Sequence, residues 1–297
     1  MSRRVRSSDF DRGPSFNPLG TLGAGCAERT VSLTTRPMLA LLSPAKKLDF
    51  DAFSKPLSAT RPLLIRETEE LMKTVRQLSA SDLARLMKLS PALAELNFER
   101  FQRFSLSRRV RTNTKQAALA FNGDTYVGLQ APQFETEDFA FAQEHLAILS
   151  GLYGLLRPLD LIQPYRLEMG TRLRTPRGAN LYEFWGDKIA KAVNKQLKCL
   201  SAPWVVNLAS SEYYSAVAPA ALKANVITCV FKERRGGQSA VIGVFAKRAR
   251  GMMARFIVQQ RLEDPKGLRD FDASGYRFER RASTERELVF VRDRTDS

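Results

Sequence analysis

Residues 38–50 read MLALLSPAKKLDF, and this stretch decides the fold. The apolar run from Met38 to Leu42 shows no alternation, as expected of a short strand buried on both faces. Ser43-Pro44 ends it, because proline donates no ladder hydrogen bond and restricts the residue before it. Lys46, Lys47 and Asp49 follow at once, so charged groups stand at the carboxyl end of a buried strand. That is the end at which sheets flanked by helices form their binding crevices.

Working outward, WVVNLAS (204–210) reads as a second strand, running into the helix start SSEYYSAV. NVITCVF and SAVIGVFAK are two strands joined at Gly236-Gly237, a hairpin signal, and YRFERRA with ELVFVR predicts a closing hairpin. Apolar residues three and four apart predict a helix from Pro62 to about Leu78. Ser81 and Asp82 cap the next, LARLMKL, which halts at Ser90-Pro91. ALAELNFERF, TKQAALAF, EDFAFAQEHLAIL, GDKIAKAVNKQL and AKRARGMMARFIVQQRL (246–262) continue the helical series. Residues 151–185, rich in Gly and Pro, read as loops around short elements. Strands at both ends with helices between predict one α+β domain over residues 38–297, a mixed β-sheet flanked by helices. Residues 1–37 differ: they carry Gly13, Gly20, Gly23 and Gly25 with no hydrophobic period, and predict a disordered extension upstream of a start at Met38. Arg3-Arg4 and Cys26 hint at export or lipidation signals, but Asp9, Asp11, Pro14, Asn17 and Pro18 interrupt any apolar core between them.

The 297 residues carry 47 Lys+Arg against 31 Asp+Glu, a formal net charge of +16. Such a field draws in polyanions, nucleic acid above all, although a basic surface serving solubility has the same composition. Hydrophobic residues at 44% exclude a wholly disordered chain. No run of about 18 apolar residues occurs, so no membrane span is expected. Cys26, Cys199 and Cys229 include no CxxC pair, which excludes a zinc ribbon and suits a reducing compartment. With a single histidine, His145, and no HExxH or ExxH spacing, no metal site is expected. His145 beside Leu146–Leu149 reads as structural.

Four constellations bear chemistry. Asp82–Asn97 follows the helix-hairpin-helix pattern, with Leu89 at the apolar hairpin position and Ala94 at the alanine position; Lys88 and Ser90 stand where glycines usually let backbone approach phosphate. An ordinary helical corner with Ser90 as cap fits the same residues. On the 246–262 helix, Ala249, Met252, Met253, Phe256 and Ile257 share one face, and Lys247, Arg248, Arg250, Arg255 and Arg261 the other. Gly251 lies among those cations, where it admits a phosphate or another backbone; a solvated cationic face is the alternative. Residues 100–115 hold six cations and no acid, interleaved with Phe101 and Phe104, a phosphate-contacting arm or a solvated connector. The fourth set recurs where strands end: Lys46 and Asp49, then Asn207, Ser210 and Glu212, with Tyr165, Arg166 and Glu168 in PYRLEMG. It suits an anionic nucleotide with glutamate as general base, or an internally paired polar core.

The stretches LSPAKKLDF, FNGDTYVGLQA, LSGLYGLLRPLDLIQPYRLEMGTRL, LYEFWGD, VVNLASSEYY, AKRARGMMARFI and GYRF…ELVFVR, in that order, resemble the YaaA family of bacterial peroxide-stress-resistance proteins. The resemblance implies a cytoplasmic DNA-binding protein of mixed α/β fold, with a helix-hairpin-helix element and a positively charged cleft. It further implies resistance to hydrogen peroxide, by limiting unincorporated iron and oxidative damage to DNA and protein; no cofactor is expected. Lys46, Tyr165, Arg166, Glu168, Asn207, Ser210, Glu212, Tyr213, Lys247 and Arg250 fall in the family's motif stretches. Together with the hairpin and helix readings, the expected contacts to double-stranded or distorted DNA are Lys46, Lys88, Ser90, Arg166, Lys247, Arg248, Arg250 and Arg255. The alternative is an enzyme acting on a nucleotide, nucleobase or nucleic acid through Lys46, Glu168 and Glu212. Two departures stand out: Lys47 replaces the threonine usual after Ala-Lys, making any pocket there more cationic, and residues 1–37 have no family counterpart.

Overall fold

The computed structural model describes residues 38–53, 56–106, 113–197 and 203–293. The expected extension 1–37, Cys26, Cys199 and residues 107–112 of the basic arm lie outside them. β1 (Met38–Leu42) forms as the apolar run requires, with all five residues buried. It is followed by α1 (Ile65–Val75), α2 (Ala80–Met87), α3 (Pro91–Arg103), β2 (Lys115–Gln116), α4 (Ala117–Ala120) and α5 (Asp124–Leu129). α6 (Thr136–His145) runs directly into β3 (Leu146–Ser150), then come β4 (Gly154–Leu156), β5 (Leu161–Ile162), α7 (Leu181–Trp185) and α8 (Lys188–Leu197). β6 (Trp204–Leu208), α9 (Ser211–Tyr214), β7 (Asn225–Arg235), β8 (Gln238–Ala240), α10 (Gly243–Gln259), β9 (Arg277–Phe278) and β10 (Glu287–Asp293) complete the order.

Eight strands make one mixed sheet in the order β4-β3-β1-β6-β7-β10-β9, with β8 pairing off β7. Its centre is parallel: β1 lies between β3 and β6, and β7 between β6 and β10. Antiparallel pairs occur at the margins, β4 on β3, β9 on β10 and β8 on β7. Gly236 and Gly237 turn the β7–β8 hairpin with φ of 56° and 78°, the left-handed pair that a two-residue turn needs. The register sets Leu42 opposite Leu208, so β1 and β6 end level and side by side. From β1 the chain's next sheet strand is β3, on one side; from β6 it is β7, on the other. The strand order therefore reverses between β1 and β6, and a crevice opens at their carboxyl ends.

Several sequence expectations are corrected in detail. The helix expected through LAIL ends at His145, and Leu146–Ser150 is the fully buried strand next to β1. TKQAALAF is a two-residue strand followed by a single helical turn. Ser79, not Ser81 or Asp82, caps α2; its hydroxyl accepts from the Asp82 amide while the Asp82 carboxylate accepts from the Ser79 amide. The strand read through SAVIGVFAK stops at Ala240, and α10 begins at Gly243 rather than Ala246. Over Asp82–Asn97, α2 and α3 meet in a tight helical corner. Lys88 takes a left-handed turn, φ 52°, and the Lys88 and Leu89 amides both fold back onto the Ala84 carbonyl. The Ser90 hydroxyl accepts from the Leu93 amide at 3.4 Å as the cap of α3. The amides of Lys88, Leu89 and Leu93 are thus taken up within the corner. His145 is structural: buried, stacked on Phe141 with ring centroids 4.0 Å apart, its Nδ1 donating to the Met38 carbonyl at 3.0 Å.

Candidate functional site

The crevice between β1 and β6 is a cavity of about 310 Å³. One wall is the Ser43–Lys47 turn that leaves β1. A second is Ser210, Glu212 and Tyr213, just past β6, and a third is Asn122–Thr125 at the start of α5. Lys247 and Arg250 of α10 close it, and Glu168 reaches in from the Tyr165–Glu168 loop. The floor is braced. The Ser210 amide donates to Ser43 Oγ at 2.9 Å, locking the ends of β1 and β6 together, and the Tyr126 hydroxyl donates to the Ser43 carbonyl at 3.1 Å.

The spacing of the α5 and α10 walls is set by two glycines. A Cβ on Gly251 would stand 1.7 Å from the Thr125 carbonyl oxygen, and one on Gly128 2.1 Å from the Arg248 carbonyl oxygen. Gly251 thus admits another backbone rather than a phosphate, which decides between its two sequence readings. At this crossing Thr125, itself the contact, and Arg250, the neighbour of Gly251, line the same cavity.

Charges here divide into paired and unpaired. Glu168 Oε1 lies 3.2 Å from Lys46 Nζ and 3.2 Å from the Arg166 guanidinium. Among the described residues, Lys47, Lys247 and Arg250 have no carboxylate partner, and Asp124 and Glu212 have no cationic one. Glu212 is positioned instead by the Gly170 amide, which donates to Oε1 at 2.9 Å, and the Tyr182 hydroxyl donates to the Glu212 carbonyl. Arg250 is largely desolvated, which lowers its pKa, while the neighbouring Cys229 pulls it the other way. A guanidinium nonetheless stays charged, so Arg250 presents a cation at a partly dry wall. Behind the cavity, burial raises the Tyr126, Tyr213 and Tyr165 phenol pKa values, helped at Tyr126 by Tyr165 and Tyr213 and at Tyr213 by Tyr165, Glu212 and Glu168; the Tyr165 hydroxyl sits 2.6 Å from Ser150 Oγ.

Of the expected DNA-contact residues, Lys46, Lys247 and Arg250 meet in this cavity, and Arg166 lies against it through Glu168. Lys46, Glu168 and Glu212, the alternative catalytic set, meet there too. Lys88 and Ser90 stand in the α2–α3 corner, outside the lining. Arg248 is exposed with its backbone against α5, and Arg255 spends its Nε on Gln259 Oε1 at 3.1 Å. Asp49 turns aside to the Asp51 amide and to Lys115 Nζ at 3.1 Å, which lower its pKa in that order. Asn207 caps the end of β6 by accepting from the Ala209 amide. Arg261, read as part of the basic face, pairs with Asp138 at 2.7 Å. Asn122, Gly123 and Asp124 were not singled out in the sequence; their signal is the Asn-Gly-Asp cluster between two periodic segments. No group of three or more His, Cys, Asp and Glu able to hold a metal exists among the described residues, and no described helix is long and apolar enough to cross a membrane.

Fold and site together define a mixed α/β protein with a charged crevice, lined by four cations and three carboxylates, at the strand-order reversal of its sheet. A family profile described as peroxide stress protein YaaA matches residues 38–282. A UPF0246 protein of Bordetella petrii is 53% identical over 255 residues, covering 86% of this chain and 99% of the relative. UPF0246 proteins of Saccharophagus degradans and Maricaulis maris are 50% and 52% identical over the same length, with 99% and 96% of each relative covered. The chain belongs to the YaaA family of peroxide stress proteins.

Proposed function

We propose that this peroxide stress protein acts by binding DNA, with the β1–β6 crevice as its phosphate-engaging centre and Lys46, Lys47, Lys247 and Arg250 as its principal contacts. The observation that carries the reading is the convergence of three unpaired cations, from segments about 200 residues apart, on one concave site. Cations left unpaired in a crevice are arranged for an anion that arrives from outside, and a polyanion gains further from the net charge of +16. The protein acts in the cytoplasm on double-stranded or distorted DNA, and its limitation of free iron follows indirectly from DNA contact. Lys88, Ser90, Arg248 and Arg255 contribute at most an outlying footprint. The test is duplex binding across a salt series. The slope of log K against log salt falls by about 0.9 for each phosphate neutralised. Lys47→Glu with Lys247→Glu weakens binding and flattens that slope, whereas Lys88→Glu with Arg255→Glu leaves both near wild type. Equal loss from both pairs, or from neither, refutes the assignment of the crevice.

A second reading, an enzyme acting on a nucleotide, is favoured by one observation: Lys46, Glu168 and Glu212 share the cavity. Against it, Glu168 Oε1 already faces two cations, which favour the ionised carboxylate and make it a weaker proton acceptor. Turnover of a nucleotide by purified protein, lost in Glu168→Gln, would establish it.

A further inference from the structure

The same cavity holds two unpaired carboxylates as well as unpaired cations, and a phosphate backbone alone accounts for only half of that. We propose that it receives one nucleotide unit, phosphate toward Arg250 and the lysines, and a base bearing an exocyclic amine toward Glu212 and Asp124. The proposal rests on the crevice being the nucleic-acid site and names the ligand's chemistry there.

The argument starts from what the cavity leaves unmatched. Lys47, Lys247 and Arg250 find no carboxylate although Asp124 and Glu212 line the same space, so the fold holds these charges apart instead of neutralising them. Arg250 and Asp124 are half-buried, while Lys47, Lys247 and Glu212 are exposed at the rim; half-buried charges of opposite sign kept from pairing forgo Coulombic energy that a bridging ligand restores. Such a ligand is anionic at one end and a donor of N–H groups at the other. Glu212 is held for that purpose: Oε1 takes the Gly170 amide, Oε2 has no partner among the described residues, and an alanine at Gly170 would place its Cβ 3.2 Å from Oε1. A carboxylate accepts from the amino groups of cytosine, adenine or guanine, whereas thymine presents no exocyclic amine. Asn122 and the Ser43 and Ser210 hydroxyls add donors and acceptors to the wall. At about 310 Å³ the space suits one nucleotide, while a duplex stays outside and reaches only the exposed lysines at the rim. The base therefore enters as a free nucleotide or extruded from a strand.

The test uses the full chain and isothermal titration with dCMP, dAMP, dGMP and dTMP. The three amino-bearing nucleotides bind about tenfold or more tightly than dTMP, the scale of one hydrogen bond to a charged group. Glu212→Gln keeps the acceptor that Gly170 needs and brings the four affinities together; Asp124→Asn is the second variant, should the first melt below wild type. Arg250→Gln weakens all four by about tenfold or more. A short duplex with one unpaired cytosine separates the sources: if it outcompetes dCMP and binds more tightly than the paired duplex, the base comes from the strand, and if dCMP displaces it equally well, from the free pool. Paired-duplex binding without any nucleotide binding, or four affinities equal in the wild type, overturns this inference and leaves the DNA reading standing. Nucleotide binding without duplex binding overturns the DNA reading alone.

Discussion

Replacing Gly251 with alanine tests the claim that the α5–α10 crossing builds the cavity. In a helix interior exposed to solvent, glycine to alanine stabilises by about 1 kcal/mol through backbone entropy. Here the new methyl stands 1.7 Å from the Thr125 carbonyl oxygen, 2.7 Å from its carbon and 2.8 Å from the Leu129 amide. All three are backbone atoms, so no side chain can rotate away. Ordinary contact begins near 3.4 Å, so α5 and α10 must separate by about half that distance. Overpacking of this kind costs about 1–3 kcal/mol or more, which exceeds the propensity gain. The expected net loss is about 1–2 kcal/mol, a fall in Tm of roughly 2–8 °C for a domain of this size. The displacement also moves Thr125 and Asp124 away from Arg250, so ligand affinity at the cavity drops with it. The assay pairs urea unfolding with nucleotide titration on Gly251→Ala and on Gly243→Ala, whose added methyl meets nothing within 4 Å. A Gly251→Ala protein more stable than wild type by about 1 kcal/mol, with unchanged binding, would refute the close crossing.

Gly128→Ala presses on the Arg248 carbonyl across the same crossing, and its cost to Tm is expected to overlap that of Gly251→Ala instead of adding to it, read from the double variant. Ser79→Ala removes the capping box of α2 and lowers stability by about 1 kcal/mol without touching ligand affinity, checked by thermal melting beside titration. Burial pushes the Cys229 thiol up from 9.0 to about 12, against the pull of Arg250. The folded state then holds a proton that the unfolded chain releases near pH 9, so this contribution is complete below pH 9 and is lost as pH rises towards 12; Cys229→Ala flattens that limb of the stability curve. Cys229 also resists alkylation in the native state at pH 8, followed by mass spectrometry, because the reactive thiolate is suppressed.

What was legible in the sequence follows from where physics is local. β1 and β6 could be read because a run of apolar residues ended by Pro44, or by Ala209-Ser210, is a signal complete in itself. β3 could not. Phe139, Ala142 and His145 continue a helical period into Leu146–Ser150 with no glycine or proline between, and only the open edge of β1 decides that the last five residues become a strand. The α2–α3 corner is legible only as two helices meeting: the direction of its amides depends on the left-handed Lys88, which a pattern of apolar positions does not encode.

The site was legible where it follows strand ends and illegible where it depends on contact between helices. Lys46, Ser210 and Glu212 come just past buried strands, so their convergence is a consequence of sheet topology alone. On α10 the helical period groups Lys247, Arg248, Arg250, Arg255 and Arg261 as one cationic face, yet only the first and third of these line the cavity. The difference is made by α5, which lies across Gly251 and divides that face. A glycine among cations thus signals a division of labour along the helix. On the near side of the crossing, Lys247 and Arg250 stay unpaired beside the crevice; beyond it, Arg261 is neutralised by Asp138, while Arg255 gives its Nε to the neutral Gln259 and stands outside the cavity lining. Selective pairing of this sort is what a binding surface requires, since a cation already neutralised within the fold adds little to the capture of a phosphate. The unpaired members of the face therefore identify the contact surface more sharply than the total charge does, and Arg250, the most desolvated of them, is where substitution costs the ligand most.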